Sequence, residues 1–340
     1  MRGIPLLVKG DRLLLGRGYR VYEHLLATGE ERLVASYRAS LPKKLLAATP
    51  LGCRVAREGI HRLYETRSGD WLAIGKGAIL FRQAGSDRFV VACTAHRGSR
   101  PLYLCHNPIA DCWYFGEYFS NPERKEVRIY ESRDGRTWTV VYSFPAGEIR
   151  HVHNIVYDSY RKGLWVLTGD SDEESGLYFT ANGFTTVDKK FGGSQAYRAV
   201  SVLCRPEGLL VPMDTPQETN AIHLLQLPNG EMIRQTALAS SAFHALEVPG
   251  GYVVTTVGEP SPVNDTQHAR LYFCADGEKK WRELICCPAD RFSDTSSRLF
   301  RYPELIPVGC MNTGALCCVA IGLARQAYGA IEINLPKALL

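Results

Sequence analysis

The chain of 340 residues carries 40 basic and 35 acidic side chains, a formal charge of +5, and 45% of its residues are hydrophobic. This composition is typical of a globular protein with a large core, and the scattered basic residues argue against a nucleic-acid partner. The eleven cysteines form no CxxC motif and most lie in apolar runs, so we expect buried thiols and a cytoplasmic protein rather than disulfides or a zinc site.

The amino-terminal segment, MRGIPLLVKGDRLLLGRGYR, has charges that interrupt every apolar run. It therefore predicts neither a signal peptide nor a membrane span. Further along, the apolar runs are short, glycine is frequent, and no stretch keeps an amphipathic helical period for three turns. These patterns favour an all-β protein.

A longer repeat organises the chain. An apolar residue, a tyrosine and a short strand precede a glycine turn in 129–135, 177–183 and 271–277, and 221–230 has the same shape with His223 in the tyrosine position. Weaker copies complete the series, whose central residues are Tyr22, Phe81, Tyr130, Tyr178, His223, Tyr272 and Tyr328.

A repeat of about 40–50 residues is the length of one propeller blade built from four short antiparallel strands. Seven such units fill the chain, so we predict a single seven-bladed β-propeller domain over residues 1–340. Six blades are the alternative, because the first and last copies are the most degenerate and together suffice for one closing blade.

One turn carries a family resemblance. The run Ser132-Arg133-Asp134-Gly135-Arg136-Thr137-Trp138 resembles the Asp-box, the S-x-D-G-x-T-W hairpin of sialidase-like, BNR-repeat propellers, and 276–281 and 182–185 are degenerate versions of it. In such a turn the aspartate accepts turn amides, the glycine takes a positive φ and the tryptophan packs over the hairpin. The resemblance implies the propeller fold and leaves the activity open.

The stretch 150–170 predicts a hairpin that ends in reactive side chains. Residues 151–157 form an alternating strand, Asp158 begins a polar turn, and 164–168 form a continuously apolar strand. His151 and His153 then share a face, and antiparallel pairing returns Asp170 beside them. Two buried histidines on one face need partners, so we interpret this pair as functional.

The first strand of each blade opens on the central channel. We predict these strands at 60–64, 100–104, 151–157, 195–200, 242–246 and 298–302, and the strands that follow several of them end in an acid. The channel should therefore gather acids, histidines, tyrosines and arginines, which suits an anionic, hydroxyl-rich ligand. The predicted catalytic residues are His151, His153, Asp170, Tyr197 and Asp214, and the predicted substrate-binding residues are Arg62, Gln195, Arg198, His244, Glu259 and Arg298.

This inventory is similar to that of propeller-fold uronate lyases. Such enzymes neutralise a uronate carboxylate with arginine or a metal, and move protons with histidine or tyrosine. The oligogalacturonate type uses a divalent metal held by histidine and glutamine. The resemblance implies His151, His153, Gln195 and His244 as the counterparts of those ligands, with His151 and His153 as the metal ligands we predict.

We therefore expect a protein that binds an acidic glycan, without a membrane or nucleic-acid partner, and cleaves it by β-elimination. Two alternatives stay open. A sialidase-like hydrolase would use arginines such as Arg62, Arg198 and Arg298, with Asp170 and Asp214 as the carboxylate pair. A non-catalytic propeller would bind a glycan or a protein. The sequence leaves the sugar, the metal and the oligomeric state undetermined.

Overall fold

The computed structural model describes residues 2–95, 97–98 and 100–336, except for the side chains of 294–298. Its strands form antiparallel meanders that follow one another along the chain, each with its innermost strand first. They are β1 (Ile4–Lys9), β2 (Arg12–Arg17), β3 (Arg20–Leu25) and β4 (Glu31–Tyr37); β5 (Ile60–Glu65), β6 (Trp71–Gly75), β7 (Ala78–Arg82) and β8 (Arg88–Thr94); β9 (Cys105–Asn107), β10 (Cys112–Gly116), β11 (Val127–Ser132) and β12 (Thr139–Phe144); β13 (Val152–Asp158), β14 (Gly163–Thr168), β15 (Gly176–Thr180) and β16 (Asp188–Gly192); β17 (Leu203–Arg205), β18 (Gly208–Pro212), β19 (Ala221–Gln226) and β20 (Met232–Ala237); β21 (Ala242–Val248), β22 (Gly251–Thr256), β23 (His268–Ala275) and β24 (Arg282–Pro288); β25 (Glu304–Cys310), β26 (Ala315–Ile321) and β27 (Tyr328–Asn334).

The meanders surround a common axis. The first strands of several neighbouring meanders contact each other, as β1 does β5, β9 does β13 and β21 does β25, and β1 also contacts β25, which brings the first and last meanders together. The predicted all-β propeller with four-stranded antiparallel sheets is confirmed. The number of blades stays a prediction, because a short parallel pairing of β4 with β8 merges two meanders into one sheet and the last meander has three strands.

The sequence repeat marks one strand of each meander. Tyr22, Tyr130, Tyr178, Tyr272 and the equivalent positions all lie in the third strand. The second strands are mostly apolar, and every residue of β14 and β22 is buried, so the cores lie between adjacent sheets. Full burial of one such side chain contributes roughly 1.5–3 kcal/mol.

Three of the predicted inner strands are wrong. Residues 100–104 precede β9, residues 195–197 form a 3-10 helix (Gln195–Tyr197), and 298–300 end a helix, α3 (Arg291–Phe300). Asp290 stabilises the start of α3, because its carboxylate accepts hydrogen bonds from the amides of Phe292 and Ser293 and pairs with the buried Arg54. Two short helices, α1 (Leu41–Leu46) and α2 (Pro50–Ala56), also depart from the expected all-strand pattern.

The predicted hairpin is confirmed as β13 and β14. Asp158 builds its turn by accepting the amides of Tyr160 and Arg161, and its other carboxylate oxygen accepts the indole N–H of Trp165. All eleven cysteines are free thiols. In the described part of the chain, no helix has both the length and the apolar character needed to cross a membrane.

Several inner strands carry a bulge near the central channel. The register shifts between Ile60 and Arg62 in β5, and again in β13 and β21 at the corresponding place. The extra residues are His61, His153 and Phe243, and all three line the central cavity. Because a bulge re-aims the side chains beside it, this irregularity directs polar groups toward the axis.

Candidate functional site

A cavity of about 320 Å³ lies where the first strands converge. Its polar lining forms two clusters. One contains three carboxyl groups and one of the two hairpin histidines: Tyr118, His153, Asp170, Arg198, Asp214 and Glu259. The other is rich in arginine: His61, Arg62, Arg100, Tyr103, His244, Arg301 and Glu304.

The hairpin brings His151, His153 and Asp170 together. The Nε2 atoms of the two histidines lie 3.1 Å apart, and Oδ1 of Asp170 lies 3.5 Å from the first and 3.8 Å from the second. Both histidines are buried, with 6% and 4% of their surfaces exposed. Gly169 permits this packing, since a Cβ there would lie 2.6 Å from Cε1 of His153.

The tautomers of this pair follow from their other contacts. Nδ1 of His151 lies 3.2 Å from the carbonyl oxygen of Phe119, and Nδ1 of His153 lies 3.0 Å from that of Ala199. A carbonyl oxygen only accepts, so each Nδ1 carries the hydrogen and donates it. A ring that is also protonated at Nε2 can donate from that atom, whereas a neutral ring presents an Nε2 lone pair to the other ring and to the carboxylate.

Burial lowers the pKa of His153, so its neutral form is favoured. Burial alone would raise the pKa of Asp170, but hydrogen bonds and positive charge from the two histidines in their protonated form outweigh it and hold that pKa well below its usual range. The donor atoms of all three residues lie within 4.8 Å of one another. Two neutral imidazoles and a carboxylate, each imidazole held by a backbone carbonyl, fit a divalent metal.

Arg198 connects this cluster to two further carboxyl groups. Its Nη1 donates to the carbonyl oxygen of Asp170 at 2.9 Å, and its Nε lies 3.5 Å from Oδ2 of Asp214. Burial raises the pKa of Asp214 to about 7, with Arg198 opposing the shift, and burial also raises the pKa of Glu259. Among the described residues, Oδ1 of Asp214 and Oε2 of Glu259 are buried without a hydrogen-bond partner. Asp214 can therefore hold a proton near neutral pH.

The second cluster contains a chain of hydrogen bonds. The phenol oxygen of Tyr103 lies 2.6 Å from Nδ1 of His244, and Nε2 of His244 lies 2.8 Å from Oε1 of Glu304. Arg301 donates to Oε2 of Glu304 at 2.8 Å. The guanidinium of Arg62 lies over the Tyr103 ring, 4.1 Å from its centroid.

Positive charge predominates around this chain. Burial, followed by the charges of Arg301 and Arg62, lowers the pKa of Arg100 to about 9. Nη1 of Arg100 is buried without a hydrogen-bond partner among the described residues. The negative charge of Glu304 neutralises only part of the positive charge of these arginines. Burial opposes its ionisation, but Arg301 and His244 lower its pKa to about 2. An anionic ligand group would complete the balance.

Most predicted site residues share the cavity. Its lining includes the predicted catalytic residues His153, Asp170 and Asp214, and His151 contacts the first two from behind. The predicted substrate-binding residues in the lining are Arg62, Arg198, His244 and Glu259. The side chain of Arg298 lies outside the described residues.

Tyr197 and Gln195 occupy different surroundings from those predicted. Tyr197 stacks on Phe191, with ring centroids 6.2 Å apart, and it is not among the described residues that line the cavity. The amide nitrogen of Gln195 donates to the carbonyl of Asp170, and its oxygen accepts from Thr215. Gln195 thus holds the Asp170 loop.

The metal-ligand set implied by the resemblance also changes. Both ring nitrogens of His244 are engaged by Tyr103 and Glu304, and Gln195 is fully hydrogen-bonded. Asp170 instead completes the group with His151 and His153.

Sequence reasoning did not assign roles to Tyr103, Tyr118 and Glu304. Tyr103 and Glu304 lie at or beside two of the misassigned strands. Tyr118 follows the strand-end acid Glu117, and its ring lies 4.4 Å from that of His151. Its position directly after a recurring acid was the one available signal.

Neither a protein-family model nor a curated protein matches this sequence. Solved structures do resemble it. An oligogalacturonate lyase in complex with manganese aligns with a TM-score of 0.63 at 10% identity, covering 99% of this chain and 89% of that one. The WD40 β-propeller domain of Doa1 aligns with a TM-score of 0.60 at 13% identity, covering 96% and 90%. A chain of the mitotic checkpoint complex gives 0.56 at 10% identity, covering 98% and 89%. At these identities the likeness shows a propeller fold and no activity.

Proposed function

We propose that this protein binds an acidic saccharide of the uronate type in its central cavity and cleaves it by β-elimination. The observation that carries the proposal is the convergence of two histidine Nε2 atoms and the Asp170 carboxylate beside a cavity also lined by arginines. The manganese-bound oligogalacturonate lyase, whose fold this chain shares, adds to the case for a lyase.

His151, His153 and Asp170 are the residues that would hold a divalent metal. When bound there, the metal would neutralise a substrate carboxylate and acidify the neighbouring C–H bond. The chain's own residues do the rest. Arg62, Arg100 and Arg301 provide guanidinium donors for anionic and hydroxyl groups.

The elimination also needs an acid for the departing oxygen. The C4–O bond breaks as the C4=C5 double bond forms, and the leaving oxygen must take a proton. Asp214 suits this role because its burial keeps a proton on the carboxyl group near neutral pH. Tyr197 takes no part in this step, since it packs on Phe191.

Hydrolysis is the second candidate, and a separate observation favours it. The cavity contains Asp170, held ionised, and Asp214, whose pKa is raised by burial. Two carboxyl groups with opposed pKa shifts are what an acid and a base or nucleophile require.

Product masses separate the two reactions. The protein is incubated with uronate- and sialate-containing oligosaccharides, with and without chelator, and the products are analysed by mass spectrometry. Elimination gives fragments whose masses sum to that of the substrate, one of them unsaturated, whereas hydrolysis adds one water. His153→Ala should abolish elimination, and His106→Ala, which alters a histidine paired with Asp111 and absent from the described cavity lining, should not. If every sugar is bound but remains intact, the protein is a binding propeller and the lyase proposal is wrong.

A further inference from the structure

The chain of Tyr103, His244 and Glu304 has a defined direction. Glu304 is ionised and can only accept, so Nε2 of His244 carries a hydrogen and donates it. In the neutral ring Nδ1 is then a lone pair, and it can only accept from the phenol of Tyr103 at 2.6 Å. The carbonyl of Phe243 is a more distant acceptor, 3.2 Å from the same oxygen.

The resting protonation states agree with this direction. Burial lowers the pKa of His244, so the imidazole is neutral and free to accept a proton. Burial raises the pKa of Tyr103 to about 12, with Arg62 opposing the shift, so the phenol keeps its hydrogen. Phenol, neutral imidazole and carboxylate form the same series as the nucleophile, base and orienting acid of a catalytic triad at rest.

The surroundings favour charge separation along this chain. A proton moved from Tyr103 to His244 leaves a phenolate under the guanidinium of Arg62, 4.1 Å from the ring centroid. It also leaves an imidazolium hydrogen-bonded to Glu304, whose second oxygen is held by Arg301 at 2.8 Å. Both new charges therefore have a partner of opposite sign already in place.

We infer that Tyr103 is a catalytic residue whose phenol oxygen takes a proton from the bound ligand while its own proton passes to His244. This inference rests on the proposed function for the identity of the ligand. In the elimination, the substrate C–H bond breaks and its proton forms the new O–H bond of Tyr103. The original phenol proton moves to Nδ1 of His244, and the C–H electron pair becomes the double bond that expels the leaving oxygen.

A structural role alone would explain the hydrogen bonds but not their placement. His244 and Glu304 come from β21 and β25, and Tyr103 lies before β9, so these hydrogen bonds do connect separate meanders. However, Tyr103, His244 and Glu304 all line the cavity, and so does Arg62. A reactivity measurement distinguishes the two roles, because a bond that only ties meanders together does not activate an oxygen.

The experiment uses the full chain and an aryl sulfonyl fluoride, with no sugar present. The phenol oxygen bonds to sulfur, fluoride leaves, and the phenol proton goes to His244. Labelled tyrosines are identified by peptide mass spectrometry, and Tyr118 serves as the internal reference. It lines the same cavity, and burial likewise raises its pKa to about 12, but no imidazole nitrogen among the described residues accepts a hydrogen bond from its hydroxyl.

We expect Tyr103 to be labelled faster than Tyr118, and His244→Gln and Glu304→Gln to slow its labelling by roughly 100-fold, the lower range for loss of a general base. Tyr160→Phe, which changes an exposed tyrosine, should alter nothing. Circular dichroism tests whether each variant is folded. If His244→Gln is not folded, His244→Asn takes its place. Labelling of Tyr103 no faster than that of Tyr118, or unchanged in the His244 variants, would overturn the inference. Selective labelling in a protein that cleaves no sugar would support the relay and contradict the proposed lyase activity.

Discussion

His151 and His153 face each other through Nε2 atoms 3.1 Å apart, while both Nδ1 atoms donate to backbone carbonyls. When both rings are neutral, neither can donate to the other, so two lone pairs and the Asp170 carboxylate meet without a hydrogen between them. Such an arrangement is costly in a buried site unless a cation lies among the three groups.

Metal binding is the first prediction. Titration of chelator-treated protein with Mn²⁺ in a calorimeter should show one site for each chain. His151→Ala and His153→Ala should each weaken binding by more than about 100-fold, the upper range for losing a residue that only supports a ligand. His106→Ala is the matched control, since His106 pairs with Asp111 and is not among the described residues that line the cavity. Equal affinity in all four proteins would show that the cluster is not the metal site.

Gly169 gives a prediction about positioning. A Cβ at this residue would lie 2.6 Å from Cε1 of His153 and 3.0 Å from Cγ of Arg198, so Gly169→Ala should displace both side chains. We expect Mn²⁺ affinity to fall at least about tenfold, since ligands must be held to within about 0.5 Å.

Gly75→Ala is the control for Gly169→Ala. Gly75 is the last residue of β6, and Gly169 directly follows β14, so the two glycines have similar places in their meanders. A Cβ at Gly75 would lie 3.5 Å from Leu80, which is an ordinary contact distance. Calorimetry and thermal unfolding of the two variants separate a local effect on the site from a general loss of stability. Unchanged Mn²⁺ affinity in Gly169→Ala would contradict the role of Gly169.

Local sequence patterns were enough to predict the hairpin. The parts of the site that depend on contacts between distant positions could not be predicted. The β13–β14 unit follows from alternation, an aspartate turn and an apolar strand, all within a few residues. The contact of His244 with Glu304 joins positions 60 residues apart, and that of Tyr103 with His244 joins positions 141 apart. No periodicity in the sequence carries that information. Tyr197 was misplaced because alternation fixes a face only in a strand, and residues 195–197 form a 3-10 helix.

The pH dependence of stability provides a prediction about Asp214. Burial raises the pKa of Asp214 to about 7, above the ordinary value of 3.8 that applies when unfolded. Between these values the folded state holds a proton that the unfolded state has lost, so the contribution to stability falls as the pH rises from about 4 to about 7. The charged groups that face it are Arg198, Asp170 and Glu259.

Asp214→Asn should remove this contribution, which amounts to about 1.4 kcal/mol for each pH unit. Urea unfolding of metal-free protein at several pH values measures the slope of the free energy of unfolding. Asp188→Asn, on the exposed outer strand β16, is the control and should keep the wild-type slope. A slope unaffected by Asp214→Asn would mean that this carboxyl group is ionised in the folded protein at these pH values.

Arg100 gives the last prediction, which concerns the anion. Burial and the charges of Arg301 and Arg62 lower the pKa of Arg100 to about 9, and its buried Nη1 has no hydrogen-bond partner among the described residues. Without a ligand, Arg100→Gln should therefore cost little stability or increase it, because it relieves repulsion between buried like charges.

When a ligand is bound, the effect of Arg100→Gln on stability should have the opposite sign. A uronate oligosaccharide should raise the melting temperature of the wild type, and less so that of Arg100→Gln, because a charged hydrogen bond contributes roughly 1.5–3 kcal/mol to binding. Arg88→Gln, at an exposed position on β8, should respond as the wild type does. Differential scanning fluorimetry over a range of sugar concentrations measures all three proteins. If Arg100→Gln is destabilised without ligand and gains as much from the sugar as the wild type, then Arg100 supports the fold and does not bind the anion.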